Sequence, residues 1–471
     1  MTRVKAAADQ AGDTTPLTET RYLPVDPRRI GQLRMIPQPH DLLDDFDIEL
    51  EATTSDAANL RKAADELRSS NLPVAFPTET VYGLGADATR SQAVQGIYRA
   101  KQRPSDNPLI VHFASLRQLR ALLQSEQALA DSPETNGRVP KNTNNDLIPS
   151  IYHPLIRKFW PGPLTIILPS PSPSPLAPEV TAGLKTFGAR IPGNVLALAL
   201  IKLADVPVAA PSANASTKPS PTAAEHVMFD LDGRIRSIVD GGPCDVGVES
   251  TVVDGLSSPP LILRPGGVSI EQLRACEGWE DVQIGYKDAA GTAESKPKAP
   301  GMKYRHYSPR APVFLFDAGQ APPTGRQLAA YVGQRKRIGV VRTQAWRLDV
   351  HDHERPLSLA LEDRRTSNGH TGSHQQLRGF ARILQSLDTT PAPREAIRSY
   401  KLRIDDEIIE LFGLQLGPDT ASVARGIFAA LRELDLKDVD AILIEGIDDE
   451  QGETAAAIMN RLRKAAEVKP T

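Results

Sequence analysis

Short apolar runs of strand length alternate with stretches that carry a helical stripe, and the runs end in loops of glycine, proline and small hydroxyls. That alternation restricts the chain to an α/β fold with a parallel or mixed sheet. The pattern predicts helices over Ser55–Ser69, with Ser55 as N-cap, and over Ser91–Lys101, His153–Trp160, Val195–Ala204 and Val268–Ala275. It predicts strands over Leu72–Phe76, Leu109–Phe113, Leu164–Leu168, Val206–Ala210, Ser237–Asp240, Ser250–Asp254 and Leu261–Arg264. The stretch from Pro77 to Gly85 reads as a polar-and-glycine turn. A second α/β unit follows, with strands Val313–Phe316, Ile338–Val341 and Ala441–Glu445 and helices Ala421–Leu434 and Thr454–Ala466. Between its strands, Arg342 to about Asp406 is polar and irregular and reads mostly as an insertion. The 471 residues thus divide into a disordered leader (1–50), a first α/β domain (51–287), a linker (288–312) and a second, smaller α/β domain (313–471).

Composition removes several classes of function. The net charge of −3 argues against a protein held on nucleic acid by bulk charge. Two cysteines, Cys244 and Cys276, rule out a disulfide framework and a cysteine-rich zinc site. The apolar run Val195–Ile201 is far short of the ~20 residues a membrane span requires. The leader has no signal-peptide core, and Asp9, Asp13 and Glu19 are acids that a mitochondrial transit peptide avoids. A cytoplasmic protein with no membrane contact is the expectation.

No phosphate-binding P-loop, dinucleotide fingerprint, zincin motif or nucleophile elbow is present. His351 and His353 sit in the polar insertion and read as solvated surface. What remains is a set of strand-end loops holding small hydroxyls and single cations: Thr78 and Thr80; Lys101, Arg103 and Asn107; Arg190; Ser212, Asn214, Ser216, Lys218 and Ser220; Ser250 and Thr251; Arg264. Guanidinium forks grip phosphate or carboxylate in fixed geometry, and hydroxyls with exposed N–H groups complete an anion site. The linker adds Lys303, Tyr304, Arg305, His306 and Tyr307, a mixture of rings and cations suited to an adenine face and a phosphate chain rather than to a passive tether.

These loops resemble a known family. Phe76-Pro77-Thr78-Glu79-Thr80-Val81-Tyr82-Gly83-Leu84-Gly85, Lys101-x-Arg103-Pro104-x-x-Asn107-Pro108-Leu109 and Phe159-Trp160-Pro161-Gly162-Pro163-Leu164-Thr165 are similar to motifs of the YrdC-like domain. So are Pro211-Ser212-Ala213-Asn214-x-Ser216-x-x-Pro219-Ser220-Pro221-Thr222, Glu249-Ser250-Thr251-Val252-Val253-Asp254 and Leu263-Arg264-Pro265-Gly266. The linker Ala299 to Pro309 resembles that of the longer, two-domain threonylcarbamoyl-AMP synthases, and Gly426–Asp435 and Met459–Ala465 resemble their second domain. The resemblance implies a twisted, mixed YrdC-like sheet with flanking helices, joined to a Rossmann-like domain. It implies an enzyme that joins L-threonine, bicarbonate or CO2 and ATP into threonylcarbamoyl-adenylate and releases pyrophosphate. A separate tRNA threonylcarbamoyl-transferring complex would use the product, Mg2+ would accompany the ATP, and a weak tRNA contact is conceivable.

Carried over by motif, Thr80, His112, Arg190, Ala210 and Ser250 would contact threonine. Arg103, Asn107, Thr186, Ser212, Ser220 and Arg264 would contact ATP, with Tyr304 or Tyr307 from the linker. Lys101, Arg103 and Arg190 would serve the chemistry, and no metal ligand is diagnostic. The residues alone favour Arg190 for a carboxylate and Arg103 and Arg264 for phosphates; they do not single out His112 or Ala210, and His112 sits in an apolar strand. Two positions depart from the family pattern. Thr217 stands where glycine is usual, which matters if that position needs a positive φ, and Asn194-Val195 replaces a usual His-Pro. Two other readings compete: an RNA-binding module without synthase activity, and a carbamoyltransferase of the hydrogenase-maturation type. The second requires zinc modules that two cysteines cannot supply.

Overall fold

A computed structural model describes residues 19–36, 45–124, 146–286, 307–323, 327, 335–349, 358–361, 397–404, 407–417 and 419–466. Most of the linker, Tyr304 and the His351/His353 pair lie outside the described residues.

The helices follow their stripes. Ser55–Ser69 buries Ala57, Leu60, Ala63, Ala64 and Leu67 on one face. Its N-cap is Thr54, not Ser55: the extended backbone of Thr54 lets its hydroxyl accept from the Ala57 N–H at 3.2 Å. Val195–Ala204 is apolar nearly all round and is buried on almost every side. Asn194, one of the departures from the family pattern, caps it, its Oδ1 accepting from the Leu196 and Ala197 N–H groups at 3.0 and 3.1 Å.

The first domain is built on one mixed sheet. Its strands are β1 (Arg21–Pro24), β4 (Val74–Phe76), β5 (Gly83–Asp87), β6 (Ile110–His112), β7 (Leu164–Pro169), β8 (Thr186–Arg190), β9 (Val208–Ala209), β10 (Ser237–Asp240), β11 (Thr251–Asp254), β12 (Leu261–Arg264) and β13 (Gln283–Ile284); β2 (Gly31–Met35) and β3 (Phe46–Leu50) form a separate antiparallel hairpin. The spatial order is β1-β10-β4-β5-β9-β6-β8-β7-β11-β12-β13, with parallel and antiparallel neighbours mixed. Two expectations change here. Residues 19–36 and 45–50 of the supposed leader are ordered: β1 runs parallel to β10, Leu23 and Val25 enter the core, and the Tyr22 hydroxyl donates to Asp240 at 2.7 Å. Part of the supposed turn after Phe76 is also a strand, β5, inserted between β4 and β9.

The second domain is a smaller Rossmann-like sheet. Strands β14 (Val313–Phe316), β15 (Arg337–Arg342), β19 (Glu407–Gln415) and β20 (Ala441–Glu445) are parallel in the order β14-β20-β15-β19, and β18 (Arg398–Ile404) closes the edge antiparallel to β19. β16 (Trp346–Asp349) and β17 (Ser358–Leu361) form a two-stranded ribbon. The 342–406 stretch is therefore not all insertion. Among the described residues, no helix is long and apolar enough to cross a membrane.

The two domains share a core. The hydrophobic cluster of the second domain takes in Val81 and Val248 of the first, beside Tyr307, Val423, Ile427 and Phe428. The helix Thr420–Leu436 lies against the first domain, and Arg432, 6% exposed, pairs with fully buried Asp230 at 2.8 Å. The same arginine donates to the Pro219 carbonyl.

Candidate active site

A cleft opens where the strand ends of the first domain meet the segment entering the second.

One side is formed by neighbouring strand ends. β6 and β8 run parallel with His112 opposite Arg190, so both side chains come from the same end of the sheet. The loop after β4 adds Thr78 and Thr80, and Ala210 follows β9. Arg190 is 4% exposed. Its Nε donates to the Gly162 carbonyl at 3.2 Å, its Nη2 donates to the Thr80 hydroxyl at 3.1 Å, and Glu79 pairs with it at 2.7 Å. The guanidinium is thus held before any ligand arrives. His112 is buried and its Nδ1 finds no partner among the described residues. Burial, reinforced by the Arg190 charge, pushes its pKa down to about 3, so the ring is a neutral group.

That shift has a consequence for stability. A histidine at about 3 in the fold and about 6.5 when unfolded contributes stability that is full above pH 6.5 and is lost as pH falls toward 3. His112→Gln is expected to remove about 1.4 kcal/mol per pH unit of slope within that window. Denaturant unfolding of both proteins from pH 7 to 4 checks it; identical slopes would mean that His112 titrates normally.

The other side carries the cations and hydroxyls. Arg103 follows the helix Ser91–Lys101 after Gln102 takes a left-handed turn (φ 52°). Its Nη2 is buried with no partner among the described residues, and the residue lines the cleft. Arg264, 6% exposed, ends β12 and donates to the Ser250 carbonyl at 2.8 and 3.1 Å and to the Ser250 hydroxyl at 3.0 Å. Burial lowers its pKa to about 10, still well above physiological pH. Ser212 lines the cleft and donates to Asn214 Oδ1 at 2.6 Å. Lys101 lines it too, but its ammonium donates to the Ser212 carbonyl and to the Asn214 carbonyl and Oδ1. Burial pulls its pKa down, yet three acceptors satisfy the charged form. Lys101 therefore secures the Ser212–Asn214 loop from a place in the cleft lining.

Three expected contacts stand outside the cleft lining. Thr186 is at the far end of β8, paired with Pro169, and four strand residues place it about 13 Å from Arg190. Ser220 is fully buried behind the wall, donating to Glu249 at 2.6 Å. Asn107 is 1% exposed, its carbonyl accepting from the Tyr98 hydroxyl at 2.9 Å. Thr80, Arg103, His112, Arg190, Ala210, Ser212, Ser250, Arg264 and Tyr307 do meet in the cleft. Tyr307 stacks on Phe428 of the second domain, ring centroids 5.3 Å apart.

The sequence reading missed the acids. Glu249 lines the cleft, and Glu79 holds Arg190. Burial opposes ionisation of Glu249, but Arg461 and Arg264 and the Ser220 hydroxyl hold its carboxyl below the usual range. The only signal was position: Glu79 and Glu249 stand inside motifs already singled out. With both acids committed, the cleft offers no carboxylate cage for Mg2+. No group of three or more acids, histidines or cysteines suited to a metal occurs among the described residues. Among the described residues, the side chains of the cleft do not fit a protein-held metal ion.

Thr217 lines the cleft with φ at 73°, so the departure from glycine falls where the left-handed backbone is required. Its carbonyl accepts from the Ser308 N–H at 2.8 Å, tying the cleft loop to the end of the linker. Thr217→Gly is expected to relieve about 1–2 kcal/mol of backbone strain, less ~0.5–1 kcal/mol for the greater freedom of glycine in the unfolded chain. A net gain of up to about 1.5 kcal/mol should appear as a higher melting temperature; a lower one would show that the threonine side chain is packed to advantage.

Comparisons with known proteins agree with this geometry. A family profile described as "Telomere recombination" matches residues 66–266, and one described as "Threonylcarbamoyl-AMP synthase, C-terminal domain" matches residues 268–467. A threonylcarbamoyl-AMP synthase of Schizosaccharomyces pombe is 43% identical, over 87% of this chain and 88% of that protein. One of Pyrococcus abyssi is 37% identical, over 86% and 94%. A solved P. abyssi structure complexed with L-threonine is similar with a TM-score of 0.60 and 34% identity, covering 87% of this chain and 94% of that one. With both domains matched and identity sustained across nearly the whole length, the chain belongs to the threonylcarbamoyl-AMP synthase family.

Proposed function

We propose that the protein is an L-threonylcarbamoyladenylate synthase, a nucleotidyltransferase that takes L-threonine, bicarbonate or CO2 and ATP and releases pyrophosphate. The observation that carries this reading is one cleft with two differently equipped sides. Arg190, preset by Glu79 and Thr80, suits the threonine carboxylate. The Ser250 and Thr80 hydroxyls and the neutral His112 stand near it for the amine and the hydroxyl. Arg103, Arg264 and Ser212 face where a triphosphate would lie, and Tyr307 offers an aromatic face.

The chemistry follows from placement. The threonine nitrogen, having lost a proton, attacks CO2 to give a carbamate. A carbamate oxygen then attacks the α-phosphorus, and the bond to the pyrophosphate oxygen breaks. Both steps gain from fixed neighbours and from cations that match growing negative charge, without a covalent enzyme intermediate. Mg2+ would arrive on the triphosphate with its own water ligands. The product would pass to a separate complex that acts on tRNA in the cytoplasm.

Incubation with labelled bicarbonate, threonine and ATP tests the reading. A labelled adenylate should form with pyrophosphate, and only when threonine is present. Threonine-independent ATP cleavage, or none, would refute it.

A further inference from the structure

The cleft takes one of its acids from the first domain and that acid's partner from the second. Glu249 lines the cleft beside Ser250 and Arg264. Its Oε1 accepts from the Ser220 hydroxyl at 2.6 Å and its Oε2 from Arg461 Nε at 3.0 Å. The Tyr307 side chain also hydrogen-bonds to it. Arg461 lies on the helix Glu453–Ala465 and is 1% exposed, with its guanidinium 5.8 Å from the Tyr307 ring centroid. Arg461, Glu249 and Tyr307 therefore form one buried cluster, built from both domains, behind the nucleotide side.

We propose that Arg461 is a positioning residue for the nucleotide half of the cleft: it neutralises Glu249, so that Glu249 orients Tyr307 and does not draw Arg264 away from a bound phosphate chain. The proposal deepens the synthase reading and rests on it. Its logic is charge balance. Two guanidiniums act on Glu249, those of Arg461 and Arg264. A buried carboxylate stripped of one partner presses its claim on whichever cation remains. Arg264 now donates to Ser250, on the cleft wall. Without Arg461, Arg264 would be pulled toward Glu249 while an uncompensated carboxylate faced the triphosphate. The threonine side has its own pair, Arg190 with Glu79, whereas Arg461 donates to Glu249 and to the Ala457 carbonyl. The second domain thus sets nucleotide affinity through one side chain rather than by coverage alone.

Calorimetric titration of the full chain with ATP and, separately, with L-threonine tests this on wild type, R461M, E249Q and R461M/E249Q. R461M should weaken ATP about ten- to hundredfold and leave threonine within about twofold. The double variant, which removes both charges, should recover ATP affinity to within about fivefold of wild type. A residue that merely packs would show no such recovery. Wild-type ATP affinity in R461M, equal losses of both ligands, or no recovery in the double variant would overturn the proposal. Should R461M fail to fold, the double variant decides: ATP binding near the wild-type level supports the proposal, and an unfolded or non-binding double variant refutes it. A wild-type protein that binds no ATP would instead refute the synthase reading itself.

Discussion

Replacing Gly247 with valine is expected to undock the second domain and abolish synthesis while the first domain stays folded. Gly247 lies between β10 and β11 with φ at 79°. A Cβ there would stand 2.3 Å from the Ala424 carbonyl oxygen and 2.5 Å from the Arg425 Cα, both backbone atoms of the helix Thr420–Leu436. Neither side can yield cheaply. The loop is tied to the other wall of the cleft, since the Gly247 N–H donates to the Thr80 carbonyl at 3.1 Å and the Val246 N–H to the Glu79 carbonyl at 2.8 Å. The helix is held by Arg432 on Asp230. A β-branched residue in the left-handed region costs about 1–2 kcal/mol, and forced overpacking about 1–3 kcal/mol more. Their sum falls on the domain contact and not on the first domain's own core, whose cluster contains no residue of the second domain. Two unfolding transitions should replace one in calorimetry, with synthesis down more than about a hundredfold, because Tyr307 leaves the cleft as Arg461 leaves Glu249. A single transition with near-normal turnover would show that the domains tolerate the displacement.

How much was legible in the sequence depended on whether local pattern or distant pairing decided the outcome. The helices Ser55–Ser69, Ser91–Lys101 and Val195–Ala204 stand where their stripes placed them, and the strands Ser237–Asp240, Leu261–Arg264, Val313–Phe316 and Ala441–Glu445 likewise. Strand β5 did not show, because Gly83-Leu84-Gly85-Ala86-Asp87 lacks β-branched residues and carries turn signals. Its glycine is a packing requirement: a Cβ on Gly85 would meet the Phe76 ring at 2.7 Å. Strand β1 is four residues long and exists only because β10, more than two hundred residues later, supplies its partner. The site divides in the same way. Cations and hydroxyls in strand-end loops announce anion binding whatever the fold does with them. Glu79 and Glu249 have meaning only beside Arg190 and Arg461, and that adjacency is made by tertiary structure. Lys101 shows what tertiary structure adds to a cation in a binding motif: it lines the cleft while its ammonium donates to the Ser212 and Asn214 carbonyls.

Arg190→Ala should cost more threonine affinity than any other single change on that side of the cleft, and should also destabilise the protein. The two effects have separate causes and can be measured apart. Arg190 and Glu79 are 4% and 8% exposed at their side chains. Removing the guanidinium leaves a buried carboxylate without its ion pair, at a cost of about 3–5 kcal/mol. A threonine carboxylate loses a preset, charge-assisted fork, worth about 1.5–3 kcal/mol, or roughly ten- to hundredfold in affinity. ATP should bind nearly as before, because Arg103, Arg264 and Ser212 keep their places in the cleft lining. Adding Glu79→Gln to Arg190→Ala should restore most of the stability, since the stranded charge is gone, and none of the threonine affinity, since the fork is still missing. Arg190→Lys should keep much of the stability but bind threonine about tenfold more weakly, a point charge being a poor substitute for two parallel donors. Titration with each ligand, alongside denaturant unfolding, resolves the cases. Equal losses of threonine and ATP in Arg190→Ala, or threonine affinity that returns with Glu79→Gln, would show that Arg190 shapes the cleft through Glu79 and does not grip the amino acid.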